Sequence, residues 1–175
     1  MIDKILMKKI LIVLGSSRSH GDTRQLVDYI IQKTNWDFLD LRPLDLAPYD
    51  YEYNNQDDDF QRVIVPKLLA ADLIIYASPV YWYTMSATMK TLFDRFSDLV
   101  RIHKPQGRQL RGKSTATLSC STDAALVNGF YMPYQESANY LGMNYVGEVH
   151  GWLEDGKITP EVQKRLDDFI TLCSK

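Results

Sequence analysis

The stretch "KILIVLGSSRSHGDTRQLV" (residues 9–27) decides how this chain is read. An apolar, β-branched run reaches Gly15, a polar loop bounded by Gly15 and Gly21 follows, and Leu26, Val27, Ile30 and Ile31 then recur at helical spacing. A strand that leaves through a short polar loop into a helix opens a βαβ unit. The same alternation continues along the chain. "WDFLDL" (36–41), "DLIIYAS" (72–78), "STATLSC" (114–120) and "MNYVGEV" (143–149) read as further strands, short and rich in β-branched or aromatic residues.

Helical patterns lie between them. Met89, Leu92, Phe93, Phe96, Leu99 and Val100 form one stripe, and Val162, Leu166, Phe169, Ile170 and Cys173 another behind the start signal Thr159-Pro160-Glu161. A helix over 58–71 carries Pro66 in its interior and must kink or restart there; one over 128–141 carries Pro133 in its first turns. Strand and helix in alternation mean parallel pairing with helices on both faces. The expectation is an α/β, flavodoxin-like three-layer α/β/α sandwich with a five-stranded parallel sheet of order 2-1-3-4-5. It spans 1–175 as one domain, with residues 1–7 as an N-terminal extension.

Composition narrows the functional classes. A 175-residue chain with 45% hydrophobic residues buries a full core, and a net charge of −2 without any basic run offers no footprint for nucleic acid or an anionic membrane. The N-terminal apolar run, residues 10–14, is too short for a secretory or membrane-spanning segment. Cys120 and Cys173 are far apart and outside any C-x-x-C spacing, so they read as buried thiols of a cytoplasmic protein. His20, His103 and His150 are dispersed, Glu148 and His150 make only two ligands on one strand face, and no metal is expected. There is no G-x-S-x-G elbow for hydrolysis. The partner is expected to be a small molecule or another protein.

The first strand of a doubly wound sheet ends beside the ligand crevice, which is where residues 15–23 fall. They lack the G-x-G-x-x-G of a dinucleotide loop, and a Walker A loop is disfavoured because Asp22 stands where its lysine would be. Ser16 and Thr23 as hydroxyl donors, Arg18 as a two-pronged donor and the free amides of a helix start suit one terminal phosphate, such as that of FMN. The same residues also read as a plain polar turn in which Asp22 caps the helix and Gln25 completes a capping box. After the third strand, "SPVYWYTMS" (78–86) places three aromatics behind a proline where polar turn residues are usual. That is an apolar wall with exposed amides beside it, or an aromatic cap on the core.

These two segments resemble a family. "GSSRSHGDT" (15–23) is similar to the G-S-x-R-x-x-G/S-N-T loop of the NADPH-dependent FMN reductases, and "ADLIIYASPVYWYTMSATMKTLFDR" (71–95) to their second flavin loop and the helix after it. The resemblance implies a single FMN-binding domain in which Ser16, Arg18 and Thr23 hold the FMN phosphate and Ser17, His20 and Gly21 line the loop. It implies that Pro79, Val80, Tyr81 and Trp82 surround the isoalloxazine, with Ser119, Cys120 and Ser121 beside the ring or ribityl chain. It further implies NAD(P)H as co-substrate, a flavin, quinone or nitro/azo-aromatic as electron acceptor, a homodimer, and no catalytic side chain beyond the cofactor. A flavodoxin-type electron carrier without its own NAD(P)H reaction is the alternative. Asp22 departs from the pattern, since asparagine is usual there, and its carboxylate repels a phosphate. "YDYEY" (49–53) reads as a solvated acidic loop, residues 101–113 as a solvated basic lead-in to the fourth strand, and Asp94 and Arg95 as members of structural ion pairs.

Overall fold

The computed structural model describes residues 8–175. The expected extension at residues 1–7 lies outside the described residues. Five parallel strands form the sheet: β1 (Ile10–Leu14), β2 (Asp37–Asp40), β3 (Leu73–Tyr81), β5 (Ser114–Ser121) and β6 (Asn144–Glu154). Their spatial order is β2-β1-β3-β5-β6, the expected 2-1-3-4-5. Two further strands of two residues each, β4 (Thr84–Met85) on β3 and β7 (Lys157–Ile158) beyond β6, pair antiparallel and bring the sheet to seven. Both are the return arms of tight hairpins, too short to carry a hydrophobic period of their own.

Alternation along β1 explains the layers. Leu11 and Val13 face one buried layer with Met89, Leu92 and Tyr134; Ile10, Ile12 and Leu14 face the other with Leu26, Val27, Ile30, Val162 and Leu166. Helices α1 (Asp22–Thr34) and α6 (Pro160–Cys173) therefore cover one face, and α2 (Val65–Ala70), α3 (Ala87–Arg101) and α5 (Met132–Leu141) the other. A four-residue turn of helix, α4 (Lys104–Gly107), links α3 to β5. Thr159 accepts from the Val162 amide at 3.3 Å and caps α6 as its sequence predicts. The proline at 66 restarts the helix: a wide turn, Phe60–Ile64, precedes α2, and the Val65 amide reaches back to the Phe60 carbonyl.

Arg95 is fully buried on α3 and holds the long β2–α2 loop. It donates to Asp58, to Asp98 (2.9 Å) and to the Ala47 carbonyl (3.0 Å), with its guanidinium 4.6 Å from the Phe60 ring centre. Asp58 in turn accepts from the Ala47 and Phe60 amides. Asp94 pairs instead with Lys90 on the outer face, so both residues enter ion pairs but not with each other. Removing the cation would leave two buried carboxylates without compensation. Arg95→Met is accordingly expected to cost about 3 kcal/mol in urea unfolding; a loss under about 1 kcal/mol would show that water reaches the cluster.

Candidate active site

A cleft of about 580 Å³ opens at the carboxyl ends of β1, β3 and β5. Its first wall is the loop from Gly15 into α1. Gly15 donates its amide to the Ala77 carbonyl (2.9 Å), and a Cβ there would stand 2.8 Å from Met89 Cβ, so only glycine lets α3 approach so closely. Ser16 and Thr23 are buried, and both line the cleft. Ser16 Oγ accepts from the Arg18 amide (3.2 Å), which leaves its own proton to donate outward. Arg18 curls back over Gly21, where a Cβ would meet its Nε at 3.3 Å.

The cap of α1 is not the one that the plain-turn reading of the sequence requires. Gly21, not Asp22, is the N-cap, no side chain bonds the first amides, and Asp22 is the first helical residue. A capping carboxylate would occupy the very N–H groups that an anion uses; here they stay free. Asp22 is exposed and lines the cleft, so its charge faces whatever binds there.

The second wall is the β3–β4 hairpin. Val80 pairs with Met85 and Tyr81 with Thr84, leaving Trp82 and Tyr83 as the two turn residues, with φ of 47° and 67°. Two-residue hairpins favour Asn-Gly because both central residues need positive φ; bulky aromatics there are strained. Trp82 is 91% exposed and Tyr83 68%. Pro79 and Val80 line the cleft beneath them. Tyr81 OH and Ser17 Oγ are 2.7 Å apart, a bridge that ties this hairpin to the first loop at the rim, and Arg42 Nε steadies the Ser17 carbonyl at 2.8 Å.

The third wall follows β5. Cys120 and Ser121 line it, joined by Thr122, Asp123, Ala125, Leu126 and Val127 of the next loop. Burial pushes the Cys120 thiol up to about 12, with the Asp22 carboxylate adding to the rise while the neighbouring Thr23 hydroxyl opposes it. The thiol stays protonated near neutrality and is no nucleophile. Ser119 is fully buried and stands behind the cleft, where it bonds Tyr131 OH (2.7 Å) and His150 Nδ1 (2.8 Å). His20 is exposed and outside the lining.

Of the sequence-derived candidates, ten therefore line one cleft, Ser17 braces its rim, and Ser119 and His20 lie elsewhere. Sequence reasoning missed Tyr83, residues 122–127 and the His150 behind them. Tyr83 was legible in "YWY"; the loop after Ser121 carries no motif. No cluster of three metal-ligating side chains occurs among the described residues.

The model of the NADPH-dependent FMN reductase family matches residues 8–155. The chain belongs to that family. It is thus an oxidoreductase with FMN as cofactor and NAD(P)H as co-substrate. Among its relatives is Bacillus subtilis (strain 168) YwqN, named as an NAD(P)H-dependent FMN-containing oxidoreductase, 26% identical over 153 residues and covering 82% of this chain and 84% of that one. The NADPH azoreductase of Bacillus sp. (strain OY1-2) is 29% identical over 97 residues, 55% of this chain and 54% of that one. The fold is shared with the Trp repressor binding protein of Bacillus subtilis (TM-score 0.72, 23% identity, 94% and 97% of the two chains). It is also shared with general stress protein 14 of Treponema denticola in complex with FMN (TM-score 0.68, 15% identity, 95% and 98%).

The cleft fits the family cofactor. Its free helix-start amides, two buried hydroxyls and Arg18 suit a phosphate, and the Pro79–Val80 wall suits an aromatic ring system. Asp22, the carboxylate at the start of α1, opposes the phosphate. The strained tip gives a first test of this site: replacing Trp82 by Asn together with Tyr83 by Gly is expected to raise unfolding stability by about 1 kcal/mol through relief of the positive φ. An unchanged or lower melting temperature would mean that the aromatics stabilise the turn by packing.

Proposed function

We propose that this reductase passes electrons from NAD(P)H through bound FMN to a planar aromatic acceptor, a flavin, quinone or nitro- or azo-aromatic compound. The observation that carries the acceptor class is the hairpin tip, where Trp82 and Tyr83 are held exposed in a strained backbone at the mouth of the cleft. Aromatic side chains kept exposed at a backbone cost offer a flat apolar surface on which planar substrates can stack. The names of an azoreductase relative and of a fold neighbour titled as an NADPH-quinone reductase from P. pentosaceus (TM-score 0.65, 20% identity, 95% and 98% of the chains) agree with that class.

FMN supplies the hydride and electron chemistry when bound. The chain's own residues bind and orient. Ser16, Arg18 and Thr23, with the α1 amides, would take the phosphate, and Ser17, through its bond to Tyr81, would keep that loop at a fixed distance from the hairpin. Gly21 gives room for Arg18, while Pro79, Val80, Tyr81 and Trp82 would hold the ring system on one side and Cys120 and Ser121 on the other. Cys120, kept neutral, adds bulk without charge. No side chain in the cleft is placed as an essential acid or base. Asp123 is the other carboxylate there, and its Oδ1 already accepts from the Ala125 amide.

The reading treats the chain as one FMN-binding domain in the cytoplasm, consistent with two free, buried cysteines. It includes a homodimer, for which the groove between α3 and α5 offers Phe93, Phe96 and Val100 beside Tyr140, 79% exposed. No helix among the described residues is long and apolar enough to cross a membrane.

The deciding experiment adds FMN to the purified protein and then NADPH without oxygen, following the visible flavin band. Rapid bleaching, reversed by a quinone or azo dye, is expected. Bound flavin that stays oxidised would point to an electron carrier instead. Asp22→Asn is expected to tighten FMN about fivefold, the scale of one exposed charge contact of about 1 kcal/mol; equal or weaker binding would place the phosphate away from α1.

A further inference from the structure

His150 lies on β6, buried, and none of the roles above uses it. Its ring joins both ends of the loop that forms the third wall. Nε2 lies 3.0 Å from the Asp123 carbonyl and 3.2 Å from Ser121 Oγ, which itself donates to the same carbonyl at 2.8 Å. Nδ1 lies 2.8 Å from Ser119 Oγ, and Ser119 Oγ lies 2.7 Å from the hydroxyl of Tyr131, the N-cap of α5. One proton assignment satisfies all of this. A carbonyl only accepts, so Nε2–H donates to Asp123; Nδ1 then accepts from Ser119, whose oxygen accepts from Tyr131.

We infer that His150 is a positioning residue for the flavin site: neutral, it clasps the start of the 121–131 loop to its end and so fixes the wall formed by residues 122–127. The inference rests on the reading of the cleft as the FMN site, and it adds a residue that touches no cofactor. A protonated ring would break the pattern. Nδ1–H would then donate to Ser119 Oγ, and the Ser119 proton would have to turn either to the Tyr131 hydroxyl, reversing that bond and displacing the tyrosine's own proton from the chain, or to the Val149 carbonyl at 3.4 Å, a poor bond.

The surroundings favour the neutral form. Burial lowers the readiness of His150 to protonate and Arg165 from α6 adds to this, while the Asp123 carbonyl bond and the Asp123 charge oppose it. Tyr131 from α5 is held neutral, chiefly by burial, and Glu148, on the same strand as His150, acts on that hydroxyl. Trp152 stacks 6.3 Å from the ring, with Arg165 over its indole. Because the folded value is lowered, the clasp is complete above the ordinary histidine range and is lost as pH falls through the lowered value.

The test compares wild type, His150→Phe and His150→Gln by hydrogen exchange of residues 122–127 without flavin, and by FMN titration. Phenylalanine keeps the stack on Trp152 but neither bond; the glutamine amide can still reach the Asp123 carbonyl. Expected in His150→Phe is a loss of loop protection of about tenfold with unchanged protection of β5, an FMN Kd raised about tenfold, and an intermediate His150→Gln. Wild-type protection, relative to the intrinsic exchange rate, should hold down to the ordinary histidine range and fall as pH drops below it, and the Phe variant should lose that dependence; a role in packing alone would not move it. Loop protection and its pH dependence alike in all three proteins would overturn the inference. If wild type failed to take FMN while the loop still answered to His150, the cofactor reading would fail and the clasp would stand. Should His150→Phe not fold, Ser119→Ala cuts the other arm of the clasp and is expected to give the same loss of loop protection.

Discussion

The cleft depends on one joint, where the start of α3 meets the ends of β1 and β3. Ser86 Oγ donates to the Gly15 carbonyl at 2.6 Å and accepts from the Met89 amide at 3.1 Å, while the Ser86 amide donates to Ser78 Oγ at 3.0 Å. One buried hydroxyl thus caps a helix and at the same time fixes the loop after β1 against the hairpin stem. Neither bond has water to compete with it, so both retain a strength that an exposed pair would lose. Met89 pressed against Gly15 makes the approach as short as backbone geometry allows. The separation of the first two walls is therefore set by the core, and loop flexibility has little say in it.

That rigidity explains how strain can be kept at the hairpin tip. Val80 and Met85 belong to the layer packed on α3, and a turn of only two residues then has to close the hairpin whatever side chains it carries. The core imposes the left-handed backbone on Trp82 and Tyr83. The rim bond from Tyr81 to Ser17 adds a second point of attachment, so the tip cannot relax by swinging away as a unit.

Legibility in the sequence followed from how local the cause was. The strands, the Thr159-Pro160 helix start and the restart at Pro66 are written in periods and caps that act over a few residues, and the strand order followed only from the fold class that their alternation indicates. Gly15, Ser16, Arg18 and Thr23 were readable for the same reason, since a helix start after a strand fixes their neighbourhood. Between the two readings of the loop the sequence could not choose, because aspartate is a strong capping residue by propensity; the chain places it one position later, at the first helical residue, and leaves the cap to Gly21. Arg95 was legible as an ion-pair member but not as the anchor of the 41–59 loop, because its partner Asp58 is 37 positions away. The role of His150 was illegible altogether. Its partners come from β5, the loop after it and the start of α5, and only the closed sheet brings them together.

The three walls are consequently held by three different means. The first is packed on α3 through Gly15 and needs a residue without Cβ. The second is held by strand pairing under strain. The third has neither, since residues 122–127 lie beyond the end of β5 and before α5 begins, with few backbone bonds of their own. A wall of that kind is drawn from the low-stability end of a protein, where a single side chain decides between order and opening. A planar ring system needs two facing surfaces at constant spacing, and two of the three walls already have theirs fixed by the packing on α3 and the strand pairing. The degree of freedom that remains in the cleft is the third wall's distance from the hairpin, and His150 is the group placed to set it.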